Sequence, residues 1–157
     1  MRSLLVLVLL SALTLPAGAQ NYEGVVPGSD TIPDNIAAAP GGAALVTWPG
    51  FQMMPDGGSR VFVQTSVEVT PELKRDGQGD NWQVLLAHVA LPPGNARRQL
   101  ATHFFNTPVT SVRTLARGQG VVVLLTMRAK LKPIVRTERA QSGYFFTYLE
   151  FPAGSFL

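Results

Sequence analysis

The second half of this 157-residue chain concentrates basic side chains that could bind an anionic ligand. From residue 95 onward nine Arg and Lys residues stand against two carboxylates, 9 − 2 = +7, whereas residues 20–94 sum to 3 − 8 = −5. Arginine presents a planar fork that fits carboxylates, and clustered positive charge attracts anionic partners. The candidate ligand-binding residues of this kind are Arg97, Arg98, Arg113, Arg128, Lys130 and Lys132. Two alternatives stay open: a solvated surface, or attraction between the two oppositely charged halves.

A second set of candidates joins planar side chains to hydrogen-bonding groups on the outward faces of two predicted strands. Its members are Trp82, His88, Tyr144, Phe146 and Tyr148, of which Tyr144 and Tyr148 are the ligand-binding candidates. Such side chains are suited to stacking against sugar rings or to packing against a protein partner. The alternative is that Phe146 is buried beneath the residues that precede the domain.

The residue types do not assemble into a catalytic or metal site. The chain has no cysteine, so a thiolate nucleophile, a disulfide and a thiolate metal site are excluded. A zinc site would need both His88 and His103 together with a carboxylate. The acidic side chains between Glu68 and Asp80 fall in a predicted loop after Pro71, where carboxylates are usually solvated. We therefore predict a protein that is not an enzyme and needs no cofactor or metal.

The N-terminal residues have the pattern of a secretory signal peptide. Arg2 provides one positive charge, an apolar run follows from Leu4 to Leu10, and Ala17-Gly18-Ala19 fits the small residues of a cleavage site. The apolar run is far shorter than the roughly 20 residues that span a bilayer. We expect a signal peptide at residues 1–19, a flexible leader at 20–43 that is rich in Pro and Gly, and a mature protein in the periplasm.

Alternating apolar residues predict the β-strands that would position these candidates. Arg60–Thr70, Gly120–Lys132 and Tyr144–Phe151 each place apolar side chains at every second position. Residues 72–81 are predicted to be a loop. We expect each alternating strand to pair with its own return strand, so that Trp82–Leu91 returns beside the first and Tyr144–Phe151 beside the second.

The sequence also predicts an internal duplication. Arg60–Pro92 aligns without a gap to Gly120–Pro152 at an offset of 60 residues, and apolar positions agree at period two in both segments. Few positions are identical, so a chance match stays open. A small sheet cannot bury its apolar face alone. The fold class expected for residues 44–157 is therefore all-β, a small β-sandwich of two related three- to four-stranded antiparallel sheets.

The order of these segments resembles AMIN domains. The segments that show the resemblance are SRVFVQTSVEV, PPGNARRQLATHFFNTPVTSVR, GVVVLLTMRAKLKPIV and GYFFTYLEFP. Arg60 matches the basic residue that precedes the apolar strand in that family, Gly120 replaces it in the second copy, and Arg113 fits the family's Val-Arg step. AMIN domains are periplasmic modules of N-acetylmuramoyl-L-alanine amidases and type IV pilus secretins. The resemblance implies a non-catalytic β-sandwich that binds peptidoglycan.

Export, the basic second half and the resemblance together predict a cell-envelope module that binds peptidoglycan and helps to localise envelope machinery. The alternative is a protein-interaction subunit that serves a secretin, a pilus or a cell-wall hydrolase complex. The export signal disfavours nucleic acid as a partner despite the basic pI of about 9.7.

Overall fold

The fold is built from short strands, because alternating Val, Leu and Phe positions are interrupted by Pro, Gly and Asp every few residues. The structure is a computed structural model that describes residues 44–77, 79–141 and 143–157. Its strands are β1 Ala44–Met53, β2 Ser59–Thr65, β3 Pro71–Arg75, β4 Trp82–Ala87, β5 Val89–Ala90, β6 Leu100–Ala101, β7 Val109–Arg117, β8 Gly120–Met127, β9 Ile134–Arg139 and β10 Phe145–Phe151. A 3₁₀ helix occupies Asn95–Arg97. The predicted signal peptide and leader lie outside the described residues.

The strands form two five-stranded sheets, which confirms the all-β sandwich. The first sheet has the order β5-β1-β2-β10-β9 and the second has the order β3-β4-β8-β7-β6. Their pairs are antiparallel except for the short parallel contact of β1 with β5. Each sheet has four longer strands and one strand of two residues, which lies at an edge: β5 in the first sheet and β6 in the second. The predicted loop at residues 72–81 instead begins with β3, an edge strand headed by Pro71, a position that proline tolerates.

Each sheet combines one hairpin from the first half of the domain with one from the second half, so the predicted pairing of a strand with its own return strand is wrong. β2 pairs with β10, and β8 pairs with β4. The hairpin β1–β2 therefore shares a sheet with β9–β10, whereas β3–β4 shares the other sheet with β7–β8. Each half of the domain therefore contributes one hairpin to each layer of the sandwich.

The strand pairing does not agree with a gapless alignment, because one offset cannot hold for both pairs of strands. Thr65 pairs with Phe145, and Leu125 pairs with Trp82. If Leu125 is taken as the equivalent of Thr65 at the offset of 60, the equivalent of Trp82 is Phe145, at an offset of 145 − 82 = 63. The difference arises in the segments between the strands, since Thr65 and Trp82 are 82 − 65 = 17 positions apart but Leu125 and Phe145 are 145 − 125 = 20 positions apart. Separately, His88, whose φ is 57°, reverses the side-chain alternation between β4 and β5. Inward positions fall on Leu86 before it and on Val89 after it.

The core lies between the inner faces of the two sheets. The alternation correctly assigned Val61, Val63 and Thr65 of β2 and Val121, Val123 and Leu125 of β8, which are all 0–1% exposed. Leu149 and Phe151 of β10 join the same cluster. Trp82 also packs in this core, and its indole Nε1 donates to the carbonyl of Leu131 at 2.8 Å. Placing Trp82 on the outward face was therefore wrong, since the reversal at His88 was not visible in the sequence.

Candidate functional site

The outer face of the first sheet brings together side chains from three strands that are distant in sequence. Strand register places Arg60 of β2 beside Glu150 of β10 and Phe62 beside Tyr148. The neighbouring strand β9 adds Ile134 next to Glu150 and Arg136 next to Tyr148. Because side chains alternate across a strand, all of these residues project from the same face.

The centre of this face is a buried aromatic cluster formed by Phe62, Tyr144, Phe146 and Tyr148, which are 1–5% exposed. The ring of Phe146 stacks on Tyr148 at 5.8 Å between centroids and meets the edge of Phe62 at 6.0 Å. The guanidinium of Arg60 lies 4.8 Å above the ring of Tyr148, a distance that suits a cation–π contact. The predicted site residues Tyr144 and Tyr148 thus belong to a packed cluster that adjoins Arg60.

Burial raises the pKa of Tyr144 above its ordinary value of 10.0. Burial also raises the pKa of Tyr148, with a smaller contribution from the charge of Glu138, while Arg60 lowers it. A phenol whose pKa is raised by folding stabilises the native state at pH values below the pKa that it has in the unfolded chain. That stabilisation is lost as the pH rises through the pKa that the phenol has in the folded protein.

We therefore expect the protein to lose stability as the pH rises above 10, because the two buried phenols must ionise. Denaturant titrations at a series of alkaline pH values measure this loss. The double variant Tyr144→Phe with Tyr148→Phe should be less sensitive to pH in that range. Equal alkaline sensitivity of the double variant and the parent would contradict the expectation.

A cleft of about 480 Å³ opens at the end of this face, where β2, β9 and β10 meet. We call it the basic cleft, and its polar walls include Arg60, Lys132, Arg136 and Glu150. Arg136 donates from Nη2 to Oε1 of Glu150 at 2.6 Å, and Arg60 Nη2 lies 3.8 Å from the same oxygen. Two guanidinium groups therefore converge on a single carboxylate oxygen.

The cleft retains positive charge after its internal ion pairs are counted. Arg60, Lys132 and Arg136 stand against Asp56 and Glu150, a balance of 3 − 2 = +1. The hydrogen bond to Glu150, followed by its charge, raises the pKa of Arg136. The side chain of Arg136 is 61% exposed, and Ile134 next to it is 62% exposed. The arrangement can accept a further carboxylate beside an apolar contact.

Among the basic candidates from the sequence, Lys132 lies in this cleft and the others lie elsewhere. Arg97 donates to the carbonyls of Leu91 and Pro92. Arg128 donates to the carbonyls of His103 and Phe156 and so fixes the C-terminal residues against a loop. The remaining candidates are Lys130, which lies 3.8 Å from Asp80, and the exposed Arg98 and Arg113.

The charge and aromatic patterns did not single out Arg136 or Glu150, and Arg60 was named only for its match to the AMIN pattern. The alternation along β10 did indicate that Glu150 shares a face with Tyr148. The missing step was the pairing of β10 with β2, which brings Glu150 to Arg60 across 90 residues of sequence, 150 − 60 = 90. His88, the other polar candidate, is exposed at the bend between β4 and β5.

The chain matches no protein-family model, and no curated protein matches it. The resemblance to AMIN domains therefore stays a prediction from the sequence. Within the ranges that the structure describes, no helix is long and apolar enough to cross a membrane.

Proposed function

We propose that this protein is a non-catalytic module of the cell envelope that binds peptidoglycan through its basic cleft and helps to localise envelope machinery. The observation that supports this proposal is the convergence of Arg60 and Arg136 on Glu150, with Lys132 in the same cleft. The peptides of peptidoglycan have free carboxylates, which are the groups that arginine binds with a bidentate fork.

In this proposal Glu150 holds the two guanidinium groups in place and the ligand uses the donors that remain. An arginine has five N–H donors, and the bond to Glu150 occupies one donor nitrogen of Arg136. A ligand carboxylate then binds between Arg136 and Lys132, while Ile134 contacts the aliphatic part of the peptide. Because Glu150 positions the guanidinium groups before the ligand arrives, binding costs less conformational entropy.

The test is sedimentation of the mature protein with purified peptidoglycan sacculi at low salt. Arg136→Glu should weaken binding by about tenfold or more, because a charge-assisted hydrogen bond contributes roughly 1.5–3 kcal/mol. Lys132→Glu should weaken binding in the same direction. Since the attraction is electrostatic, raising the salt concentration should release the parent protein.

Arg98→Glu is the matched control, because Arg98 is exposed outside the cleft and its reversal changes the net charge by the same amount. This control should sediment like the parent. If the parent does not sediment with sacculi, the proposed function is wrong. If Arg98→Glu and Arg136→Glu weaken binding equally, the site is the general surface charge and not the cleft.

A further inference from the structure

The outer face of the second sheet has an aliphatic centre where the first sheet has aromatic rings. Val122 of β8 pairs with Leu85 of β4 on one side and with Leu115 of β7 on the other, and Leu124 follows Val122 on the same face. Leu115 is 39% exposed, Leu85 and Leu124 are half-buried, and Val122 is buried between them. We call these four residues the aliphatic patch. It projects away from the core that the two sheets share.

A small cleft of about 240 Å³ lies on this patch. Leu85 and Val122 line it together with the polar side chains of Glu72, Lys74 and Arg117. Clefts for small molecules usually enclose about 300–1,000 Å³. This cleft is below that range, and its size is appropriate for one large side chain of a partner.

The rim of the patch is positively charged. Lys74, Arg113 and Arg117 stand against Glu72, a balance of 3 − 1 = +2. Lys74 and Glu72 form an ion pair at 2.9 Å, but each side chain is 55% exposed, so both keep access to solvent. Two copies of this face would bring like charges together, which disfavours self-association through it. An apolar centre with a charged rim is the usual anatomy of a protein interface.

We propose that this face binds an acidic protein partner, which inserts one large apolar side chain between Leu85 and Val122 and sets carboxylates against Lys74 and Arg117. The site lies on the opposite sheet from the basic cleft and does not depend on it. A module with both sites would join peptidoglycan to a protein complex, and the partner site alone would serve an accessory subunit.

The first experiment places a photo-crosslinking amino acid at Leu115 of the full-length protein in cells of the source organism. A dominant crosslink to one other protein is expected. The matched control is Ile134, an exposed aliphatic residue on the other sheet, where that crosslink should be absent. The crosslinked protein is then purified, and its affinity for the mature chain is measured directly.

In that binding assay Arg117→Glu should weaken affinity by about tenfold or more, since it places a carboxylate against the partner's carboxylates. Arg98→Glu should leave the affinity unchanged, and circular dichroism should show that both variants are folded. The proposal is overturned by no crosslink at Leu115, by a crosslink to a second copy or to the chain's own N-terminal residues, or by an affinity that Arg117→Glu does not change. Sedimentation with sacculi is a separate readout, so failure of one site leaves the other testable.

Discussion

Replacing Gly50 with alanine is expected to lower the free energy of unfolding by about 3 kcal/mol, close to the effect of deleting a large core side chain. Gly50 of β1 lies opposite Phe62 of β2 on the outer face of the first sheet. A Cβ at Gly50 would lie 2.6 Å from both Cε atoms of the Phe62 ring and closer still to its tip. The ring is 1% exposed and packs against Phe146, so it cannot move without loss of contacts.

A double-mutant cycle isolates this contact. In a Phe62→Leu background the ring is gone, so adding Gly50→Ala should cost less than about 1 kcal/mol, and the coupling energy should be roughly 2 kcal/mol. Denaturant unfolding measures each variant. Gly77→Ala is the control, because a Cβ there meets no atom within 4 Å, and its effect should stay within about 0.5 kcal/mol. Additive effects of the two substitutions would show that the ring does not set the requirement for glycine.

Gly120→Ala is expected to destabilise the protein by about 3 kcal/mol for a different reason. A Cβ at Gly120 would lie 2.5 Å from the carbonyl oxygen of Leu86, which belongs to the backbone of the neighbouring strand and cannot rotate away. The end of the β4–β8 ladder, where Gly120 pairs with Ala87, must then open. The hydrogen bond from the His88 N–H to the Gln119 carbonyl, 2.8 Å long, should be lost with it.

Two measurements test this expectation: denaturant unfolding for the global effect and amide hydrogen exchange at His88 for the local one. Gly118→Ala is the comparison, because Gly118 has a φ of 57° but open space around it. It should cost about 1 kcal/mol from backbone strain alone. A cost for Gly120→Ala no larger than that for Gly118→Ala would contradict the role of the Leu86 carbonyl.

The close approach at Gly120 also explains why no side chain stands at position 120, where the predicted alignment has Arg60. The predicted alignment places Gly120 opposite Arg60, and a Cβ at Gly120 has no room beside the Leu86 carbonyl oxygen. The second sheet therefore has no counterpart of the arginine that lines the basic cleft. Backbone packing therefore leaves no room for a basic side chain at position 120.

The sequence predicted which side chains face the core of β2, β8 and β10, because alternation is a local property of each strand. It did not predict which strands pair, because pairing is decided by contacts across the whole domain. β3 was missed since it is a polar edge strand in which Leu73 is the one residue packed on the core cluster. Trp82 was misplaced because a single left-handed residue, His88, reverses the alternation.

The candidate site could be predicted only in part, because its residues come from three strands. Lys132 and Tyr148 were identified from charge and aromatic character alone. Arg60 and Arg136 meet at Glu150 only after β10 is inserted between β2 and β9. No spacing between residues in the sequence predicts that these three side chains meet. The register of the sheet does.

Because each half of the chain supplies one hairpin to each sheet, the whole domain is one cooperative unit. Thr65 and Phe145, which are 80 positions apart, must meet before the first sheet is complete, which gives the chain a high contact order and a slow folding reaction. Neither half of the domain can be removed, because the inner strand of each remaining hairpin would lose its partner strand in the sheet.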